Sequence, residues 1–182
     1  MFVIQITPNE KELLKCFDEN GNVIAPKTRK ELHTRPYRIW HGVTAVWLLN
    51  NKGKILCTRR SEKNEGNPGK WQTYVGGHVK ADQSFLETAQ TELTEELGLR
   101  LSTEHFRLVA AGKREDVMHV FEMYAVLFNE DLSILQFKDG EIDDATWFTF
   151  NDYQTRKTNN PEIWCNSMKL EQYKKVMEVL GI

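Results

Sequence analysis

A chain of 182 residues, 40% hydrophobic and 27% charged, is long enough to bury most of its apolar surface in one domain, and its ordinary composition excludes the disordered and fibrous classes. The formal net charge of −2 excludes a global field that would draw the chain to nucleic acid or an anionic membrane, so an anionic ligand must be met by a bound cation or a few placed Arg and Lys residues. Cys16, Cys57 and Cys165 are odd in number and far apart, with no Cys-x-x-Cys pair, which argues against a disulfide framework or zinc knuckle and for three packing residues in a reducing cytoplasm.

Phe2-Val3-Ile4, the longest apolar stretch near the start, is broken by Gln5 and is too short for a signal peptide or a membrane span. Residues 13–17 and 22–25 flank Glu19-Asn20-Gly21. Asn-Gly is a strong two-residue turn signal, so an N-terminal β-hairpin is expected. A polar stretch, 26–38, leads into a β-branched and apolar strand over 43–49, which turns through 50–53 into a partner strand over 54–58. A Gly-, Asn- and Pro-containing loop over 64–69 precedes a short strand over 71–75. After Gly76-Gly77 comes the strongest helix signal, 84–97, followed by strands at 107–112, 117–128 and 145–148. Asn160-Pro161 is expected to open a terminal helix, with Asn as N-cap, Pro at the first helical position and Gly181 just past the end. No repeat, low-complexity tract or linker divides the chain. One domain is expected, with a hairpin extension over 1–40, a core over 41–150 and a helical segment over 151–182. Mixed strands with one internal and one terminal helix make an α+β or α/β sandwich.

The internal helix carries the chemistry. Ser84-Phe-Leu-Glu87 reads as a capping box and Gly98 as a left-handed C-terminal cap. A turn of about 100° per residue puts Phe85, Leu86, Ala89, Leu93 and Leu97 on one face, and Glu87, Gln90, Thr91 and Thr94 on the wet side. Glu92, Glu95 and Glu96 fall in a third arc beside the apolar face. Three carboxylates about 5 Å apart repel by roughly 3 kcal/mol per pair at an effective dielectric near 20. A solvated helix tolerates this by screening; a partly buried one needs a cation. Mg²⁺ (or Mn²⁺) suits hard oxygen ligands and keeps positions open for water and phosphate oxygens.

From Gly77 to Leu99 the chain reads GHVKADQSFLETAQTELTEELGL. This resembles the Nudix box, Gly-x5-Glu-x7-Arg-Glu-U-x-Glu-Glu-x-Gly-U, with U aliphatic. Gly77, Glu92, Leu93, Glu95, Glu96, Gly98 and Leu99 fall in register, while Gln83 stands where the first Glu belongs and Thr91 where the Arg belongs. The resemblance implies a Nudix-type α/β/α sandwich with a mixed central sheet, and a metal site on Glu92, Glu95 and Glu96. Cys57-Thr-Arg-Arg60, Pro68-Gly69-x-Trp71 and the upstream Arg29, His33 and His41 are similar to the branch that includes type I isopentenyl-diphosphate isomerase. That likeness implies a possible second metal site on His33, His41, His78 and Glu122, with Val120 where a further acidic ligand belongs. The isomerase's catalytic cysteine falls on Gly76, so the isomerase reading is demoted. The likeness runs from about residue 20 to 148.

The expected function is therefore a metal-dependent hydrolase of a diphosphate linkage in a nucleotide or related nucleoside diphosphate derivative. Its partner is a small-molecule diphosphate rather than nucleic acid or membrane; monomer and homodimer stay open. Glu92, Glu95, Glu96 and Glu141 are the candidate catalytic residues, and Arg60, Lys63, Gly76 and Gly77 the candidate substrate-binding ones. Glu141 can instead be one of a plain acidic loop with Asp139, Asp143 and Asp144. Trp71, Trp147 and Trp164 can stack on a base or pack in the core. The rival reading, motivated by Gln83 and Thr91, is a nucleotide-binding module with little turnover.

Overall fold

The structure, a computed structural model, describes residues 11–64, 66–165 and 168–182; the Phe2-Val3-Ile4 stretch lies outside them. Strand β1 (Leu13–Phe17) and β2 (Val23–Thr28) form the expected hairpin. Its turn is held by the Asp18 carboxylate, which accepts from the backbone N–H of Asn20 and Asn22, with Gly21 at φ 88. The polar stretch that follows holds a short helix, α1 (Arg29–His33), which the sequence reading passed over. Its signal was present: Thr28 and Glu31 cap it reciprocally.

Next come β3 (Trp40–Leu49), β4 (Ile55–Arg60) and a two-residue β5 (Trp71–Gln72). The expected strand over 71–75 stops early because the chain leaves β4 there and crosses to β3. Val75 bridges Val46, and His78 bridges Val43. Helix α2 (Phe85–Leu97), β6 (Phe106–Arg114), β7 (His119–Leu127) and β8 (Ile142–Phe148) follow. Two helices close the described chain, α3 (Phe150–Asn159) and α4 (Leu170–Leu180). Helix α3 was not expected, although Thr149 accepts from Asp152 N as its N-cap. The terminal helix begins later than Asn160-Pro161 implied. Pro161–Ile163 makes only a 3₁₀ turn, because Trp164 pairs alongside Trp71 and Cys165 N–H donates to Trp71 O at 3.0 Å. Sheet pairing wins over helix propagation there. Gly181 ends α4 at φ 71, as expected.

The sheet is mixed. β2, β1, β3, β4 and β5 run in that order, β7 lies parallel to β3 and antiparallel to β6, and β8 pairs antiparallel with β4. Side-chain alternation along β3 and β7 sorts the core onto two faces. Val46, Leu48, Tyr124 and Val126 face Ala89, Leu93 and Leu97 of α2. Trp47, Leu49 and Ala125 face the other way, toward Tyr153 of α3 and Val176 of α4. Helices on both faces of a mixed sheet make the α/β/α sandwich of an α+β fold. None of the described helices is long and apolar enough to cross a membrane.

Leu93 is fully buried between α2 and the sheet. Leu93→Ala should cost about 2–5 kcal/mol of unfolding free energy, read as a lower urea midpoint at unchanged slope.

Candidate active site

Helix α2 is pinned at both ends. Ser84 N–H donates to Glu87 Oε2 at 2.7 Å, Glu87 N–H donates back to Ser84 Oγ, and Gly98 at φ 72 returns its N–H to Leu93 and Thr94. With Ala89, Leu93 and Leu97 locked against the sheet, the helix has no freedom to rotate. Glu92 and Glu96, one turn apart, are therefore carried inward beside the apolar face. Glu96 is 4% exposed, and its Oε2 has no hydrogen-bond partner among the described residues. The two carboxyls hydrogen-bond each other.

Their electrostatics follow from that burial. Loss of solvent raises Glu92 to about 7, with repulsion from Glu95 and Glu141 adding to it, while the bond to Glu96 opposes the rise. Glu96 is pushed well up by burial first, then by Glu92, Glu141 and Asp139. Both shifts run toward the protonated form, so full ionisation of the pair is opposed. Glu95 is different: it is exposed and ion-paired with Lys80 at 3.8 Å. Hard oxygen donors, one of them buried and unpaired, fit Mg²⁺ or Mn²⁺.

The two departures from the box meet in space. Thr88 Oγ1 donates to Gln83 Oε1 at 2.9 Å, and Gln83 Nε2 donates to Thr91 Oγ1 at 3.4 Å. A neutral amide–hydroxyl chain occupies these positions.

Gly76 and Gly77 lie between β3 and α2. A Cβ on Gly76 would overlap Thr44 O and stand 2.7 Å from Ala45 Cα; one on Gly77 would overlap Glu92 Oε1. Thr44 N–H donates to Gly77 O at 2.9 Å. The segment is thus backbone packed on backbone, with the Glu92 carboxylate directly over Gly77. No side chain, a thiol included, fits at Gly76 unless the strands move apart.

These residues border a cavity of about 540 Å³. It takes in Glu92, Glu95, Gly76, Gly77, Arg60 and Glu141 from the sequence expectations. Glu141 is well anchored: its carbonyl accepts from Ser61 N–H and Asn64 Nδ2, and its N–H donates to Asp139 Oδ1. Asp139 lines the cavity too, whereas Asp143 turns away to pair with Arg59 at 3.1 Å. Lys63, expected at the substrate, is not among the lining residues. Its place is taken by Arg29 and Lys80. Glu12 sits between these two cations, 3.6 Å from Arg29 and 3.9 Å from Lys80. The chain of ion pairs Arg29–Glu12–Lys80–Glu95 ties the N-terminal hairpin to α2, and sequence spacing gave no hint of it. Cys165 lines the cavity as well, unlike Cys16 and Cys57, which are buried packing residues; all three are free. Trp71 and Trp164 pack with Phe148 and Tyr153, and Trp147 packs on Phe128.

The histidines do converge. Ligand nitrogens of His33, His41 and His78 lie within 4.8 Å of one another. Glu122 is not with them, which corrects that part of the expectation. It pairs with Thr44 on the α2 side of the sheet and accepts from Tyr124 Oη, whereas His41 and His119 pair on the opposite face. An odd spacing of three along a strand separates His119 from Glu122. The His119 ring packs edge-on against that of His41, 4.7 Å between centroids.

A family profile described as NUDIX domain matches residues 40–165. Over 88 residues the chain is 38% identical to an uncharacterized Nudix hydrolase of Yersinia pestis, covering 48% of this chain and 47% of that protein. Over 91 residues it is 32% identical to an isopentenyl-diphosphate Delta-isomerase of Corynebacterium efficiens, covering 50% and 47%. The match thus spans about half the length of these curated relatives. The crystal structure of DR0079 from Deinococcus radiodurans shares the fold at a TM-score of 0.67 and 21% identity, covering 92% of this chain and 99% of that one.

Because the folded pair holds its proton above the ordinary carboxyl value of 4.5, the folded state binds more protons than the unfolded one between that value and about 7. Stability of the metal-free protein should fall as pH rises through this window. Melting in a chelator across the window should show the decline. Glu96→Gln should remove most of it, leaving the metal-free variant about 1–2 kcal/mol more stable at neutral pH.

Proposed function

The chain belongs to the Nudix family, and from that premise we propose that it is a divalent-metal-dependent hydrolase of a diphosphate linkage in a nucleotide or related nucleoside diphosphate derivative. The observation that carries this reading is the Glu92–Glu96 pair, Glu96 buried with its Oε2 unpaired among the described residues and Glu92 in the wall of a cavity that Arg29, Arg60 and Lys80 also line. Glu92, Glu95 and Glu96 would hold the ion, which when bound would supply Lewis-acid chemistry toward a phosphoryl oxygen and an attacking water.

The chain's own groups do the rest. Arg60, Arg29 and Lys80 orient and neutralise phosphate oxygens, Arg60 with its guanidinium fixed by a 2.8 Å bond from Nε to Gly66 O. Gly76 and Gly77 bring bare backbone up to the ligand. Glu141 is the proton acceptor for the attacking water, its loop braced by Ser61, Asn64 and Asp139. A thiol-dependent proton transfer has no donor at Gly76. The neutral Gln83–Thr88–Thr91 chain keeps the helix entry ordered.

Assays over a panel of nucleoside diphosphate derivatives with Mg²⁺ or Mn²⁺, coupled to a phosphatase that releases inorganic phosphate from the monoester products, test the reading. Glu96→Gln should lower turnover by about 10²–10³, and Glu141→Gln by about 10², with the fold retained by circular dichroism. Tight nucleotide binding with no release from any compound would instead establish the binding module.

A further inference from the structure

We propose that Gln72, with Thr58 across the strand pair and Cys165 beside it, forms the specificity end of the cavity and hydrogen-bonds the edge of a nucleobase carried by the diphosphate ligand. The inference rests on the hydrolase reading for the diphosphate end and adds the part of the ligand that lies beyond it.

One run of chain makes a long wall of the cavity. Alternate positions line it, Gln72, Tyr74, Gly76, His78 and Lys80, with Gly77 bare beneath Glu92. Thr73, Val75 and Val79 are buried at 0%, 1% and 0% exposure. Backbone bonds hold the run in place: Val75 N–H donates to Val46 O at 3.1 Å and Val79 N–H to Gly42 O at 2.9 Å. Glu92 and Lys80 mark its glycine end, where Arg29 also bonds His78. The four residues from Gly76 back to Gln72 reach at most about 14 Å. That is room for a sugar and a base beyond a diphosphate seated at the glycines.

At the far end, polar capacity is unmet. Gln72 is 5% exposed, yet it lines the cavity. It stands opposite Thr58 in the antiparallel pair of β4 and β5, so both side chains lie on one face of the sheet. Thr58 is 2% exposed, and its Oγ1 is buried with no partner among the described residues. Cys165 offers Gln72 little more. Its Sγ stands 3.4 Å from Trp71 O and 4.0 Å from Gln72 Oε1, so the thiol proton goes to the nearer backbone carbonyl. A primary amide carries two donor hydrogens and two acceptor lone pairs. Among the described residues no strong bond uses those of Gln72.

That inventory selects the ligand. An aliphatic chain laid along this wall would cover the Gln72 amide without meeting it, and a buried polar group left unpaired makes a site reject the analogue that lacks its partner. A polyol offers hydroxyls but no planar edge. A nucleobase sets a donor and an acceptor side by side, as a primary amide does, and the two mate in one plane. Tyr74, between Gln72 and the glycines, is half-buried and packs against the core around Trp47 and Tyr153, which steadies the wall beside the sugar.

Cys165 makes the subsite observable. It is half-buried at the cavity, whereas Cys16 and Cys57 are 0% exposed, and all three are free thiols. A base seated on Gln72 covers the Cys165 sulfur; a ligand confined to the glycine end leaves it open. Burial raises the Cys165 thiol, so its alkylation is followed at alkaline pH, where the reactive thiolate forms.

The test uses the full chain with Mg²⁺ and methylene-bridged probes, which lack the scissile P–O–P bond. These are nucleoside α,β-methylene diphosphates, methylenediphosphonate as the base-free core, and an alkyl methylenediphosphonate as the aliphatic control. Iodoacetamide labelling of Cys165 is read by peptide mass spectrometry, with Cys16 and Cys57 as internal standards, and affinity by calorimetry. We expect the nucleoside probes to protect Cys165 and the other two to leave it reactive. Gln72→Met, close in shape but without the amide, should weaken the nucleoside probes by about 3–10-fold and leave methylenediphosphonate unchanged. Equal protection by methylenediphosphonate, or none by a nucleoside probe that calorimetry shows bound, would overturn the subsite. So would a Gln72→Met that weakens all three classes alike. Protection in the unsubstituted chain decides the matter even where Gln72→Met fails to fold. Turnover absent over the nucleotide panel with protection intact removes the hydrolase reading and leaves the subsite; turnover present with Cys165 unprotected does the reverse.

Discussion

Two carboxyl groups, Glu96 buried and Glu92 half-buried at the cavity wall, stand beside each other with only Lys80 to offset the charge on Glu92. Burial and mutual repulsion oppose ionisation of both, and only the packing of the opposite side of α2 keeps them there. Ala89, Leu93 and Leu97 are fully buried against the sheet, and the capping box and Gly98 fix where the helix starts and stops. The apolar stripe supplies the free energy that confines the acidic one. This is how a site comes to be destabilising when empty and stabilised by the ligand it is built to hold.

The second constraint is the close approach of residues 75–78 to β3. By leaving β4 after Gln72, the chain places Gly77 under Glu92 and, one residue on, turns His78 to the other face of the sheet. Strand register thus sets Gly77 against Thr44 and His78 against Val43, while His78 still lines the cavity with Glu92. Arg29 and Glu12, both from the N-terminal hairpin region, reach this segment through ion pairs and the bond to His78. The hairpin is part of the site's electrostatics rather than an appendage.

Glu95 illustrates how register on a helix does not fix role. It belongs to the same acidic arc as its neighbours, yet it is solvent-exposed and paired with Lys80, so its charge is screened where theirs is not. Charge on this helix is graded from wet to dry across one turn, from exposed Glu95 to buried Glu96.

The local chemistry of the helix was legible in the chain alone. The Ser84–Glu87 box, the Gly98 cap, the apolar spacing and the glutamate arc are short-range patterns, and short-range physics decides them. The Thr28–Glu31 and Thr149–Asp152 caps were equally legible and passed over. What only the tertiary structure decided were the long-range pairings. These include the exchange of Lys63 for Arg29 and Lys80 at the cavity, the diversion of Trp164 from helix to strand pairing, the arrival of His119 beside His41, and the exile of Glu122 to the other face. Each depends on which strand lies next to which and in what register, and a shift of one residue reverses every side chain. A linear pattern records a strand's two faces but not which neighbour each face will meet.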